Sequence, residues 1–150
     1  MTKTNSPRSG FPSTSRSLPI SLLRAREVVM QPIRDMLGEL GLTEQKWRIL
    51  RTLDELGEVE QSTIAKEACL LLPSLTRILR GMEADGLISR QSDAKDKRRT
   101  LVTITDKGRA IVRDNLHLAN DIATRIETHM GEDEVKQLLD LLEKLQSAKL

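Results

Sequence analysis

Apolar residues along this chain follow two spacings, and the switch between them marks its organisation. From Leu18 to Glu39, Leu22, Val29, Ile33, Met36 and Leu37 form one stripe at helical spacing, continued by Leu40, and predict a first helix. Pro32 lies inside that stripe and predicts a kink or a split; Gly38 and Gly41 supply a stop. Thr43 is placed to cap a second helix, with Glu44 favourable in its first turn. Trp47, Leu50, Leu53 and Leu56 recur every third residue as its inner face, and Gly57 ends it. A short third helix is expected over about Gln61 to Ala68. A fourth is expected over about Pro73 to Ala84, stopped by Asp85-Gly86.

The spacing then changes. Leu87-Ile88-Ser89-Arg90 and Thr100-Leu101-Val102-Thr103-Ile104-Thr105 are short β-prone runs around a charged loop, which predicts a hairpin. Thr105 can cap a fifth helix with the long stripe Ile111, Leu118, Ile122, Ile126 and Met130. Gly131 and the acidic Glu132-Asp133-Glu134 interrupt it and open a sixth helix carrying Leu138, Leu139, Leu141, Leu142 and Leu145. The fold class is therefore mainly α with a small β-hairpin. The terminal helices are too apolar to remain solvated, which points to residues 18–41 and 106–150 as a dimerisation region around a central module of residues 42–105.

Composition narrows this picture. Hydrophobic residues make up 38% and charged residues 31%, while Phe11 and Trp47 are the only aromatics. A core of aliphatic side chains suits a helical protein. Residues 1–17 are Ser/Thr/Pro-rich, with Lys3, Arg8 and Arg16 and no acid. They read as a disordered basic tail, with a DNA-touching arm as the alternative. The net charge of +2 argues little, but its distribution argues more. Ser89 to Arg109 holds seven Lys/Arg against three Asp, a local excess of +4, whereas residues 132–144 hold five acids against two Lys. A lone cysteine, no long apolar run and no signal-peptide pattern make a cytoplasmic protein the expectation.

The hairpin and the helix before it carry the chemistry. Ser74, Thr76, Arg77 and Arg80 lie mostly away from the apolar face Leu75, Ile78, Leu79 and Met82, and can address phosphates or base edges. Lys95, Asp96, Lys97, Arg98 and Arg99 form the hairpin tip. Asp96 can accept from Arg98 and hold it outward, so that Arg98 or Arg99 enters a minor groove while Lys95 and Lys97 meet phosphate. Separately, each feature has a plain alternative, a solvated helix face or a charged loop. Together they describe a winged helix-turn-helix.

These residues also carry a resemblance. Leu53 with Ile64-Ala65, Leu75-Thr76-Arg77-Ile78-Leu79, Met82-Glu83, Asp85 to Arg90, Asp96 to Arg99 and Leu101 to Gly108 resemble the MarR family of bacterial transcriptional regulators over about residues 18–147. The family's Asp-x-Arg wing signature falls on Asp96 and Arg98, and its recognition-helix Thr-Arg falls on Thr76 and Arg77. Leu22-Leu23 through Ala25-Arg26-Glu27, Leu42-Thr43-Glu44-Gln45 with Trp47-Arg48-Ile49, and Ala68-Cys69 with Pro73 to Thr76 look like its homoprotocatechuate-operon branch. The resemblance implies a homodimer that represses from a pseudo-palindromic operator. Release would come from a small aromatic acid or its coenzyme A thioester. One departure is that Leu71 and Leu72 stand where the family commonly has a polar residue, leaving the fourth helix without an evident cap.

For such an effector, Arg26 is the expected carboxylate anchor, with Trp47 stacking and Ser21 hydrogen-bonding. The alternative for Arg26 is a structural ion pair with Asp54 or Glu55. Arg24 and Arg48 are weaker candidates. Cys69, also placed near the ligand, is expected to be a buried cysteine at the turn between the third and fourth helices, because its position does not match the family's peroxide-sensing cysteines. His117 and His129 lack metal-site spacing, and no cofactor is expected. Neither a nucleophile–base pair nor a Gly-rich phosphate loop is present, so an enzyme is disfavoured. A winged-helix interaction module without DNA binding is the remaining alternative.

Overall fold

The computed structural model describes residues 13–150. Residues 1–12, most of the expected tail, lie outside the described residues. The rest of that tail departs from expectation, because Thr14–Arg16 forms one 3-10 turn, with the Ser13 hydroxyl accepting from the Ser15 amide. Six helices and three strands follow: α1 (Leu18–Glu39), α2 (Glu44–Leu56), β1 (Val59–Glu60), α3 (Gln61–Glu67), α4 (Leu72–Ala84), β2 (Ile88–Ser92), β3 (Thr100–Ile104), α5 (Asp106–Met130) and α6 (Glu132–Gln146).

α1 runs through Pro32 as a single helix, so the predicted split does not occur. Proline removes only its own amide from the backbone ladder, and the turns on either side hold. α2 starts at the expected cap, the Thr43 hydroxyl accepting from the Lys46 amide at 3.2 Å. It ends at Gly57, whose φ of 76° few other residues adopt. Its buried face is wider than the three-residue repeat implied. Trp47, Leu50 and Leu53 are joined by Ile49 and Thr52, while Leu56 is exposed at the end of the helix.

β1 has only two residues and escaped sequence reading. It pairs antiparallel with β3, Val59 opposite Val102, giving the sheet order β1-β3-β2. On the other edge β2 and β3 form the expected hairpin, with Ile88 opposite Ile104 and Ser92 opposite Thr100. Leu50, Leu53, Ile64, Leu75, Leu79, Met82 and Val102 close one core beneath α2, α3, α4 and the sheet. α5 meets this core at Gly108, where an added Cβ would lie 2.3 Å from the Leu87 carbonyl oxygen.

The terminal helices contrast with this core. On α1 only Met36 and Leu37 are buried, and Leu18, Leu22, Leu23, Val28 and Val29 are exposed. α6 buries nothing, and Leu138, Leu139 and Leu141 face outward. On α5, Leu118, Ile122 and Ile126 are only half-buried.

Candidate nucleic-acid interface and effector cleft

Among the described residues no side chain caps the amino-terminal turn of α4, as Leu71 and Leu72 predict. Pro73 lowers the demand by removing one of the amides left over in a first turn. Leu75, Leu79 and Met82 anchor the helix, with Ile78 half-buried at the edge. Arg77 and Arg80 are exposed and, among the described residues, make no side-chain hydrogen bond or ion pair. Ser74 is half-buried beside them. Thr76 is already engaged: its hydroxyl donates to the Leu72 carbonyl at 3.1 Å and accepts from the Gln61 amide at 2.6 Å. Gln61 thus fixes α3 against α4, a role that its place at the start of a short helix did not reveal.

The hairpin tip is built around Asp96. Its carboxylate accepts from the Arg98 backbone amide at 3.1 Å and from Arg98 Nε at 3.2 Å. Those hydrogen bonds from Arg98, with the nearby Arg99 charge, hold the Asp96 carboxyl below the ordinary aspartate value. The Arg98 side chain remains 91% exposed, so it is oriented without being covered. Arg99 is placed differently: its Nη1 donates to Glu60 at 2.9 Å, tying the tip to the end of β1. Lys95 and Lys97 are exposed. At the base of the hairpin, Glu83 at the end of α4 accepts from both the Arg90 amide and the Arg90 guanidinium at 3.0 Å. These bonds, the side-chain one foremost, keep the Glu83 carboxyl low and lock β2 to α4.

The ligand residues do not assemble as expected. A cleft of about 340 Å³ lies between α1, α2 and α3, lined by Met30, Ile33, Trp47, Arg48, Arg51 and Glu67 among others. Trp47 reaches it while remaining 6% exposed. Arg26, Ser21 and Cys69 do not line it. Arg26 is 52% exposed and pairs with Glu44 at 2.8 Å; neither acid proposed for it is its partner, and Asp54 instead faces Arg109 at 3.7 Å. The stripe assignment failed there because the outer half of α1 stays largely exposed, Leu18, Leu22, Leu23, Val28 and Val29 included. Cys69 is exposed rather than buried and takes a φ of 53°, as the link from α3 to α4 turns sharply. Arg48, a weaker candidate from the sequence, does line the cleft, and among the described residues its Nε is buried without a hydrogen-bond partner. Arg51 also lines it; the sequence reading did not single it out, although it lies one helical turn after Trp47 and so shares its face.

Glu44, at the start of α2, joins the cleft to α1. It accepts from Arg26 and from Arg34 at 3.1 Å, and Arg34 also pairs with Glu27. Burial alone would raise the Glu44 carboxyl, but the hydrogen bonds from Arg34 and Arg26 outweigh it and hold the group low. Among the described residues no cluster of side chains could hold a metal ion, and no helix is long and apolar enough to cross a membrane.

A helix-turn-helix with unpaired guanidinium groups, braced to a hairpin that offers an oriented arginine, defines a winged-helix transcriptional regulator. Residues 42–100 match the MarR family, relatives extend the match across most of the chain, and the protein belongs to that family. It is similar to the homoprotocatechuate degradative operon repressor of Escherichia coli, with 38% identity over 128 residues, 85% of this chain and 86% of that one. NadR in complex with 4-hydroxyphenylacetate superposes with a TM-score of 0.81 at 33% identity, over 94% of this chain and 100% of that one. The transcriptional repressor CouR bound to a 23-mer DNA duplex gives 0.80 at 26% identity, over 91% and 99%. The chain is thus a MarR-type regulator rather than an enzyme, related to repressors of aromatic catabolism.

Proposed function

We propose that the protein is a homodimeric repressor that binds a pseudo-palindromic operator in the cytoplasm and is released by a small aromatic acid. The observation that carries the DNA-binding part is Arg98, fully presented yet held by Asp96. A pre-oriented arginine loses less freedom on entering a narrow minor groove than a floppy one. Arg77 and Arg80 on α4 serve a major groove, with Lys95 and Lys97 on phosphates. The unpartnered apolar faces of α1, α5 and α6 support pairing through residues 18–41 and 106–150. A two-fold axis then sets two α4 helices on successive major grooves about 34 Å apart.

The effector belongs in the cleft beside Trp47. Arg48 and Arg51, rather than Arg26, are the cationic anchors for its carboxylate, because a buried guanidinium nitrogen without a partner among the described residues favours one. The relatives named for homoprotocatechuate and solved with 4-hydroxyphenylacetate support an aromatic acid. The cleft volume suits the acid itself better than its coenzyme A thioester. Binding between α1 and α2 would favour a dimer whose recognition helices are mis-spaced for the operator. In a gel-shift titration at physiological salt, Arg98→Ala should weaken operator binding by about tenfold to a hundredfold and leave the dimer intact. Unchanged affinity would remove the wing from the interface.

A further inference from the structure

The recognition helix opens on two leucines whose exposure no other described residue relieves. Leu71 is 77% exposed and Leu72 49%, at the cap and first position of α4. Adjacent exposed aliphatic side chains at a functional face ask for an apolar partner. Leu72 also lines a cleft of about 240 Å³ together with Gln61 and Ser62 of α3 and Arg98, Arg99 and Thr100 of the wing. Glu60 completes the lining and pairs with Arg99, so Leu72 is the apolar member of a mixed wall and Arg98 its outward-facing cation. A duplex presents the matching arrangement, with phosphates along the groove edge and, inside the major groove, one apolar group among the base edges, the 5-methyl of thymine.

The polar side chains nearby leave this task open. The Thr76 hydroxyl is spent on Gln61 and on the Leu72 carbonyl. Among the described residues no side chain caps the first turn, so its backbone amides are left for phosphate, while the side chains of Leu71 and Leu72 themselves carry no hydrogen-bonding group. What these two side chains offer a base pair is therefore hydrocarbon. We propose that Leu71 and Leu72 are specificity-determining residues that read thymine methyl groups in the operator half-site, alongside the guanidinium readout by Arg77. The proposal rests on the DNA-binding reading above and names what that face distinguishes.

The test compares thymine with deoxyuridine, which lacks the methyl and keeps the same hydrogen-bonding groups. A duplex is first enriched from a random pool with the purified full-length dimer, then resynthesised with deoxyuridine at each thymine of the half-sites in turn. At one or two positions the wild type should lose about fourfold in affinity per methyl withdrawn from contact. Leu72→Ala or Leu71→Ala should abolish that difference at the same position, with an unchanged circular dichroism spectrum and melting temperature. Arg98→Ala should weaken both duplexes alike and preserve the ratio. A wild type indifferent to deoxyuridine everywhere, or leucine variants that keep the wild-type ratio, would overturn the proposal while leaving DNA binding in place. Failure to enrich any duplex would overturn the DNA-binding reading and this proposal together.

Discussion

Single side chains at two places decide whether the hairpin can work. Gly108 lets α5 press against the Leu87 carbonyl, which itself accepts from the Thr105 amide at 3.1 Å. Alanine there gains helix propensity of about 1 kcal/mol, but its methyl would displace a backbone atom that is already hydrogen-bonded. Displacement should win, and Gly108→Ala should lower stability by about 1–3 kcal/mol in urea unfolding at fixed protein concentration. A neutral or stabilising result would show that the contact yields. Asp96 is the second place. Its folded carboxyl titrates below the ordinary aspartate value, so its bonds to Arg98 are complete above that value and are lost as pH falls through the lowered one. In an acid titration followed by NMR, the Asp96 carboxyl carbon and the Arg98 amide should move together below the range of free aspartates. Separate titrations, or one at or above the ordinary value, would contradict the bracing role. Asp96 with Arg98 was legible because two residues of spacing suffice for a turn, whereas the fate of Arg26 depended on distant Glu44.

Among the secondary elements, those with strong local signals were readable and those set by partners were not. Thr43, Gly57, Thr105 and Gly131 fixed helix boundaries through caps and turns formed within a few residues. β1 was invisible, since two residues carry no alternation and exist as a strand only because β3 lies alongside. Likewise the α1 stripe promised burial along the whole helix, yet one chain covers only its final turns. The cleft was half legible: Trp47 and Arg51 share a face by spacing, but the gap beside α1 whose wall they form is tertiary. Glu44 is the tie between α1 and α2 at that gap. Glu44→Gln should leave helix content unchanged and speed amide exchange in the second half of α1, with α4 and the hairpin unaffected. Uniform exchange across the molecule would show that this tie does not couple the two regions.

The molecule as a whole divides into a closed core and an unfinished surface. Residues from α2 to β3 bury a continuous aliphatic cluster, while α1, α5 and α6 leave leucines, valines and isoleucines exposed or half-buried. The cationic helix and wing lie on the closed part and the apolar faces on the unfinished part, so the proposed pairing would set the distance between two DNA-reading units without rebuilding either. The cleft between α1 and α2, the proposed effector site, lies where those parts meet. The most direct measurement is the mass of the complex by light scattering or analytical ultracentrifugation, at micromolar protein with an enriched duplex. The expected species is two chains on one duplex, formed from a dimer that already exists without DNA and falling apart from the DNA as salt rises. A free monomer, or one chain per duplex at saturation, would contradict it.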